Sequence, residues 1–457
     1  MTGLACEWKI PGKRWGHRLH AMCSYMAMFP PSIPHYFIAK CTDPGDVVLD
    51  PFSGRGTTPL QACLEGRTGV GNDLNPLAYM LTRAKVDLPY EHQVWERLDQ
   101  LELGYVPRDD TAGLIQEYEA WASRSGRGSW LECRRLLAEL RKAYAGEKTV
   151  PLPHYVDESY NWNPEAGPID FAEEHHHPIW IFYHPETLRQ LAYLKSRLTG
   201  DRTDTFIAAT ILGIMHGNSP FYLSIPMPNT FSMTPRYVLK YTYEKGLVLP
   251  LRNVFHCLRH KVALMNLPPE VIRGRAFYGD IRNLPSQLEP YLDRLGRRVQ
   301  LVVSSPPYLK VVKYGLYNWI RLWFLERADA PWQHGDERLD RQVDAVLDDG
   351  HLLPEYLEFM AESLTTLYPL LADDGVVALV IGDVEKGKHR ITLAQEVWEH
   401  SAKPAGFRYL DCIVDSIELN YKVTKIWGDQ RGRATDTDRV LLLHKGRPKI
   451  KDCPVTW

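Results

Sequence analysis

The chain has 457 residues, of which 44% are hydrophobic and 24% charged, and this composition excludes a disordered protein and predicts a globular one larger than a single ordinary core. Its 54 lysines and arginines balance 56 aspartates and glutamates, which excludes a protein coated in positive charge and leaves room for a local basic groove. Eight scattered cysteines without a Cys-x-x-Cys pair predict buried thiols, and with no signal peptide or long apolar run they predict a cytoplasmic protein without a membrane partner.

Strand and helix patterns alternate in the first part of the chain. Gly45–Asp50 predicts a short buried strand, and Thr57–Leu64 predicts a helix after it. Thr68–Asp73 predicts a second strand that ends on an acid, and Leu74–Lys85 predicts a second helix. This β-α-β-α order is typical of a parallel sheet covered by helices.

The alternation stops at residue 89. Residues 91–145 have an amphipathic helical pattern, and residues 146–185 are rich in proline, aromatic and acidic residues. Leucines at 188, 191, 194 and 198 mark one face of a helix, and a further helix is predicted over Thr203–His216. Asn218–Arg236 is predicted to be a loop.

The alternation resumes at Ala276 and completes the predicted sheet. The remaining predicted elements are strands at Ala276–Asp280, Val299–Ser304 and Gly375–Gly382, a helix at Tyr356–Leu371, and a closing antiparallel pair formed by Phe407–Ile417 and Arg439–His444. The sequence therefore predicts an α/β fold with one doubly wound, Rossmann-like sheet. Residues 1–88 and 276–457 would form this sheet, and residues 89–275 would form a large, mostly helical insertion.

A glycine-rich motif follows the first predicted strand and reads DPFSGRGTT over residues 50–58. Gly54 and Gly56 let the backbone turn tightly and approach a ligand without a Cβ atom in the way. Ligands of such sheets bind at the carboxyl ends of the strands. The motif therefore predicts a cofactor loop.

A second motif, SPPY, follows the strand predicted at Val299–Ser304 and consists of Ser305, Pro306, Pro307 and Tyr308. An exocyclic amine of cytosine or adenine is a poor nucleophile, because its lone pair is delocalised into the ring. Acceptors such as the Ser305 hydroxyl and the Pro306 carbonyl would favour a reactive, pyramidal nitrogen. The two prolines stiffen the loop, and Tyr308 offers a ring for stacking an extruded base.

Together the two motifs resemble those of the amino-methylating DNA methyltransferases, which act on cytosine N4 or adenine N6. The resemblance covers roughly residues 15–88 and 276–446. It implies a class I fold, S-adenosyl-L-methionine as methyl donor, direct in-line transfer and no metal. Asp73 would accept from the ribose hydroxyls and Asp280 from the adenine amine. The cofactor-binding residues it implies are Tyr25, Asp50, Phe52, Gly54, Gly56, Thr57, Asp73 and Asp280.

The residue before the two prolines favours cytosine N4 as the target, since serine is commoner there among the family's N4-cytosine enzymes. Aspartate or asparagine is commoner among its N6-adenine enzymes. The chain has no Pro-Cys dipeptide, which argues against methylation of cytosine carbon 5. Adenine N6 in DNA stays open as an alternative, followed by guanine N2 in transfer RNA. A binding subunit with an inactive methyltransferase fold is disfavoured by the intact glycines and SPPY motif.

The insertion between the motifs is the predicted target-recognition region. Aromatic and amide side chains in exposed loops can stack on bases or hydrogen-bond their edges, and the candidates lie in Tyr155–Trp162 and Asn218–Arg236. His175–His177 is not predicted to bind metal, because adjacent histidines rarely converge on one ion. The predicted partner is double-stranded DNA, and a cognate restriction endonuclease or another defence-system protein is compatible with the chain.

Overall fold

The computed structural model describes most of the chain, namely residues 4–12, 15–26, 28–107, 179, 182–227, 237–238, 241, 249–269, 274–307, 314–327, 330–334, 337–347, 352–386, 389–416 and 433–457. Its α-helices are α1 (Ser32–Cys41), α2 (Thr57–Leu64), α3 (Pro76–Val86), α4 (Glu91–Leu103), α5 (Pro185–Arg197), α6 (Arg202–Ile214), α7 (Val254–Met265), α8 (Leu284–Leu295), α9 (Trp319–Leu325), α10 (Leu339–Leu347), α11 (Leu353–Leu367) and α12 (Leu393–Val397). Its strands are β1 (Val47–Asp50), β2 (Thr68–Asp73), β3 (Arg275–Tyr278), β4 (Val299–Ser304), β5 (Leu371–Lys386), β6 (His389–Ile391), β7 (Arg408–Ser416) and β8 (Arg433–His444).

The strands form one sheet in the order β3-β2-β1-β4-β5-β8-β7, with β6 paired to the end of β5. The strands from β3 to β5 in this order are parallel, whereas β8 runs antiparallel to β5 and β7 antiparallel to β8. The predicted doubly wound α/β fold is therefore confirmed, and so is its closing antiparallel pair. The strand order reverses between β1 and β4, which is where sheets of this type bind ligands.

Alternating apolar residues on the central strands fill both faces of the sheet. Val302 of β4 packs on one face with apolar residues of α8, α11 and α12. Its neighbours Leu301 and Val303 pack on the opposite face with apolar residues of α1 and α2. This two-residue period follows from the pleat of a strand, and it gives the sheet a helical layer on each side.

The predicted elements around the first motif agree closely with the structure. The bounds of α2 and β2 are those predicted, and α3 begins two residues later than predicted. It begins at Pro76 because the Asn75 side chain accepts a hydrogen bond from the Leu77 N–H at 3.0 Å and caps the helix.

The described helices of the predicted insertion pack on the catalytic part of the chain. Apolar residues of α4 to α7 share one buried cluster with those of α3 and α9. An ion pair between Arg97 and the buried Asp204, at 2.8 Å, joins α4 to α6. The predicted domain division stays a prediction, but these helices have no separate core of their own among the described residues. Within those residues, no helix has the length and apolar character that crossing a membrane requires.

Candidate active site

The two motifs meet at the centre of the sheet. The cofactor loop follows β1 and the SPPY segment follows β4, and these two strands are parallel neighbours. The Ser304 hydroxyl, at the end of β4, donates to Asp50 Oδ1 over 2.5 Å. Nearby, the Thr58 hydroxyl donates to the Val303 carbonyl at 3.0 Å. The fold thus joins the loops that follow the two strands, although more than half of the chain lies between them.

The cofactor loop has a backbone that requires glycine. Gly54 and Gly56 have φ values of +50° and +76°, which lie in the left-handed region. A Cβ atom on Gly56 would lie 2.9 Å from the Thr82 Cα, and one on Gly54 would lie 3.4 Å from the Tyr25 ring. The loop is therefore closely backed on two sides and held in one conformation.

Asp73 lies at the end of β2, beside this loop. Its Oδ2 accepts from the Gly54 N–H at 2.8 Å, and its Oδ1 accepts from the Asn75 N–H at 2.9 Å. Because Asn75 caps α3, Asp73 is not the cap of that helix. Burial raises the pKa of Asp73 to about 6, although these backbone donors lower it. Asp73 is a partly exposed residue, and its carboxylate keeps further lone pairs that can accept from a ligand.

Asp50 is the more deeply buried of the two acids and is 1% exposed. Burial raises its pKa to about 7, while hydrogen bonds from Ser304, the Phe52 N–H and Thr58 lower it and the charge of Asp73 raises it. Two carboxyl groups therefore titrate near neutral pH within one small site. Perturbed acids at the carboxyl ends of strands are typical of functional sites.

Tyr25 brings the N-terminal segment to the cofactor loop. Its hydroxyl accepts from Asn75 Nδ2 at 3.0 Å, and its ring packs against Gly54. On its other side it stacks on Tyr314, with ring centroids 6.3 Å apart. Because Tyr314 is the first described residue after the SPPY segment, three separate parts of the chain converge here.

Asp280 has a local structural role in addition to its predicted one. It caps a short 3-10 helix, and its Oδ1 accepts from the Arg282 N–H at 2.8 Å. The Arg282 guanidinium donates to both carboxylate oxygens, at 2.9 and 2.6 Å, and lowers the pKa of Asp280. The preceding Gly279 accepts from Asn72 Nδ2 at 3.1 Å, which holds the Asp280 turn beside the end of β2. Contact between Asp280 and the adenine amine stays a prediction.

The other predicted cofactor residues lie on the same loop. Phe52 is partly buried, with its ring centroid 5.7 Å from that of Phe359 on α11. Thr57, the first residue of α2, is 4% exposed and accepts from Arg55 Nε at 3.3 Å. The structure thus brings Asp50, Phe52 and Thr57 onto one turn, next to Asp73.

The SPPY segment begins directly after β4. Ser305 and Pro307 are partly exposed, and Pro306 is buried. Tyr308 lies outside the described residues, as do the recognition candidates Tyr155–Trp162 and the triple histidine. Ser305 therefore stands at the surface of the site, one residue beyond the Ser304 contact with Asp50.

Only residues 218–227 of the second recognition candidate are described, and they consist of turns and bends as predicted. Several of them belong to the core and not to a surface that could contact bases. Leu223, Ile225 and Met227 are fully buried, and the buried Ser224 hydroxyl lies 3.2 Å from His216 Nδ1.

Two residues of the site could not be predicted from the sequence. Ser304 closes a run of apolar strand residues, and a buried serine in such a run has no pattern that distinguishes it. Lys85 is fully buried, and its Nζ donates to the Arg55 carbonyl at 2.6 Å. A lysine in the last turn of a helix is usually a solvated residue that favours the helix dipole, so its position alone gave no signal.

The donor set fits S-adenosyl-L-methionine. Asp50 and Asp73 offer carboxylates to a sulfonium, an ammonium or ribose hydroxyls, and the left-handed glycine loop lets backbone approach the ligand. Asn72 Oδ1 is buried beside them without a hydrogen-bond partner in the structure. Within the described ranges, no group of three or more histidine, cysteine, aspartate or glutamate side chains is placed to hold a metal ion.

Comparison with known proteins agrees with this geometry. A family model described as DNA methylase matches residues 8–82, which contain the cofactor loop and Asp73. Over 418 residues, 84% of this chain and 74% of the relative, the chain is 23% identical to the type II methyltransferase M.MjaII of Methanocaldococcus jannaschii. Both matches support the amino-methyltransferase family that the two motifs suggested.

This methyltransferase also resembles a second relative over a short stretch. It is 45% identical over 53 residues to the type II methyltransferase M.XycI of Xanthomonas campestris pv. cyanopsidis, covering 12% of this chain and 18% of that protein. The suspected family is confirmed, and S-adenosyl-L-methionine is the methyl donor of that family. The roles of individual site residues stay predictions.

Proposed function

We propose that this methyltransferase transfers a methyl group from S-adenosyl-L-methionine to the exocyclic N4 amine of a cytosine flipped out of duplex DNA. The observation that carries the proposal is the position of Ser305. It begins the Pro306-Pro307 segment at the carboxyl end of β4, and the cofactor loop follows the adjacent strand β1. Donor and acceptor would then meet at the reversal of strand order.

Acceptor groups at the SPPY segment would activate the amine. The Ser305 hydroxyl and the carbonyl of Pro306 can accept from its N–H groups and favour a pyramidal nitrogen, whose lone pair attacks the methyl carbon directly. The reaction needs no covalent enzyme intermediate, so the site works mainly by positioning. The buried Pro306 and the bond from Ser304 to Asp50 make this segment rigid, which positioning requires.

The acids of the cofactor loop would orient the donor. Asp73 would accept from the ribose hydroxyls, and Asp280 from the adenine amine. Asp50, Phe52, Gly54, Gly56 and Thr57 would surround the amino-acid half, with Tyr25 packed against it. The proximity of Asp50, Asp73 and Tyr25 on one edge of the sheet supports this assignment.

The inserted region would read the DNA sequence. Its described helices share a buried cluster with α3 and α9, so DNA held by them would keep a fixed position relative to the site. The names of both relatives, type II methyltransferases, favour a place in a restriction-modification system beside a nuclease of the same specificity.

A product analysis tests the proposal. Purified protein is incubated with methyl-labelled S-adenosyl-L-methionine and duplex DNA of mixed sequence, and the DNA is digested to nucleosides. We expect N4-methylcytosine to carry the label. N6-methyladenine would show that adenine is the target, label only in transfer RNA would favour guanine N2, and no label with any nucleic acid would indicate an inactive fold.

Two variants test the site assignment. Ser305→Ala should lower turnover by about tenfold or more, since it removes an acceptor aimed at the reacting amine. Asp73→Ala should weaken cofactor binding by about 10- to 100-fold, since it removes charge-assisted hydrogen bonds. Ser286→Ala is the matched control, because the Ser286 hydroxyl is an exposed group that donates to the carbonyl of Asn283. Wild-type kinetics in both site variants would remove the assignment.

A further inference from the structure

Four basic side chains from four segments converge on the cofactor loop. Arg55 lies in the loop itself, between its two left-handed glycines. Lys85 of α3 is fully buried and donates to the Arg55 carbonyl. Lys261 of α7 donates to the Ala21 carbonyl at 2.8 Å, and His20, next to Ala21, is 5% exposed.

The charges of these groups act on one another. Burial lowers the pKa of Lys85 well below its ordinary value, and the nearby Arg55 and Lys261 lower it further. Burial, with smaller effects of Lys85 and Arg55, lowers the pKa of His20 to about 3. Burial also lowers the pKa of Arg55 to about 10. Burial therefore disfavours the charged forms of Lys85 and His20, whereas Arg55 keeps its positive charge at neutral pH.

No carboxylate among the described residues lies within ion-pair distance of Arg55, Lys85 or Lys261. Several other described basic residues are paired with a carboxylate, as Arg97 is with Asp204 and Arg439 with Asp383. A largely desolvated guanidinium without a counter-charge is costly, so Arg55 gains from binding an anion.

Two further observations mark the same place as an anion site. Helix α2 begins at Gly56 and Thr57, and the N-cap Gly56 offers no side chain to accept a hydrogen bond from the N–H groups of its first turn. These N–H groups can therefore donate to an anion. The Arg55 guanidinium lies at this helix start, where its Nε donates to Thr57 Oγ1.

We propose that Arg55 binds the α-carboxylate of the amino-acid half of S-adenosyl-L-methionine, with Lys85 holding the Arg55 backbone through its hydrogen bond to the Arg55 carbonyl. The inference rests on the proposed cofactor. It divides the site by charge: Asp50 and Asp73 offer acceptors to the cationic and hydroxyl groups of the ligand, and Arg55 offers donors to its one anionic group. Arg55 is suited to this because a guanidinium can hold a carboxylate through two parallel hydrogen bonds.

Phosphate of the DNA backbone is the other source of a comparable oxyanion. The position of Arg55 favours the cofactor, since its neighbour Gly54 donates to Asp73 and packs on Tyr25. Arg55 is also only partly exposed. A phosphate contact would be expected on a more accessible side chain that can reach the duplex.

Calorimetric titration with two ligands tests the proposal without relying on turnover. The ligands are S-adenosyl-L-methionine and its decarboxylated form, which keeps the sulfonium, the amine and the nucleoside. The wild-type protein should bind the carboxylate form about 10- to 100-fold more tightly, as expected for a charge-assisted hydrogen bond. Arg55→Met should lose this preference and bind both ligands as the wild type binds the decarboxylated one.

The controls use neighbouring cations and a conservative change. Arg83→Met, on the same helix as Lys85, removes a guanidinium that donates to the Gly200 carbonyl away from the loop, and it should keep the full preference. Arg55→Lys should recover part of it, because the charge stays and the two-pronged geometry is lost. Circular dichroism and thermal unfolding show whether each variant is folded.

Three outcomes would overturn the proposal. One is a folded Arg55→Met or Arg55→Lys protein that keeps the wild-type preference, or a wild type without preference. Another is an Arg55→Met protein that binds the cofactor as the wild type does but binds DNA more weakly. If the salt dependence of its DNA binding also corresponds to about one phosphate contact fewer, Arg55 would be assigned to a phosphate. Failure of the wild type to bind either ligand would overturn the proposed cofactor itself, a result distinct from binding both equally.

Discussion

The hydrogen bond from Ser304 to Asp50 predicts how cofactor binding should depend on pH. Asp50 titrates near neutral pH, so its charge changes within the range in which the enzyme can be studied. Ser304→Ala removes the hydroxyl that donates to Asp50 Oδ1 over 2.5 Å, and it leaves a small cavity where the hydroxyl was. Both side chains are buried, which makes this bond sensitive to deletion.

The magnitude follows from the kind of bond that is lost. A hydrogen bond to a charged group contributes about 1.5–3 kcal/mol net, and about 1.4 kcal/mol corresponds to one pH unit. Without Ser304, the ionisation of Asp50 should therefore move to higher pH by about 1–2 pH units. The Phe52 N–H and the Thr58 hydroxyl still favour the charged form, and the charge of Asp73 still opposes it.

The expected direction is fixed by the charge of the ligand. A sulfonium and an ammonium favour the ionised form of Asp50, so cofactor affinity should fall as the pH falls through about 7 in the wild type. Asp73, whose pKa burial raises to about 6, should steepen this fall at lower pH. In Ser304→Ala the fall should begin about 1–2 pH units higher, as measured by calorimetric titration across the neutral range.

Protein stability should change with pH in the opposite sense. The folded-state pKa of Asp50 is raised above its ordinary value of 3.8, so the native protein holds this proton more tightly than the unfolded chain does. The stability that Asp50 contributes is therefore complete below pH 3.8 and is lost as the pH rises through about 7. Ser304→Ala should extend that loss to higher pH, which urea unfolding at several pH values would measure.

Two neighbouring variants separate this coupling from general damage. Ser304→Thr keeps the hydroxyl and should restore the wild-type pH midpoint, even if the added methyl group lowers stability. Ser305→Ala should lower turnover without moving the midpoint. An unchanged midpoint in Ser304→Ala would refute the reasoning, because it would mean that the hydroxyl does not set the ionisation of Asp50.

Two further changes test the supports of the site. Gly56→Ala should lower the free energy of unfolding by roughly 1–3 kcal/mol, since it places a Cβ in a left-handed backbone 2.9 Å from the Thr82 Cα; an unchanged urea midpoint would contradict this. Asp344→Ala removes the carboxylate that accepts from the Gly315 and Leu316 N–H groups at 2.7 and 2.9 Å. Hydrogen exchange at both amides should therefore become about tenfold faster or more. Exchange at the wild-type rate would show that the carboxylate does not hold this turn.

Local sequence signals were sufficient for the elements that build the sheet. β2 and α2 are short and bounded by glycine, asparagine or proline, so their ends could be predicted to the residue. The apolar run of β4 marked a strand, and the structure buries all six of its residues. The two motifs could be assigned to one edge of the sheet, because the carboxyl ends of parallel strands lie together.

Long-range side-chain contacts could not be predicted in the same way. Ser304 lies 254 residues from Asp50, and neither residue type nor spacing indicates that the two bond. Arg282 and Asp280 are close in sequence, yet their salt bridge uses carboxylate oxygens that the predicted contact with the adenine amine would also need. Lys85 appeared as an ordinary helical lysine, and only the packing of α3 beneath the cofactor loop buries it. Tertiary contacts decide these cases, and the sequence pattern does not encode them.

The packing of α3 also explains how the long chain segment between α3 and β3 coexists with an intact sheet. The chain leaves the sheet after α3 and returns at β3, and the Val86 carbonyl accepts from the Gly274 N–H at 2.6 Å. Ends this close let a long segment be inserted without parting β2 from β3. The segment is still not a separate appendage, because α3 packs on α6 while its Thr82 backs Gly56 of the cofactor loop. A change in how α6 packs on α3 would therefore act on the cofactor loop through Thr82.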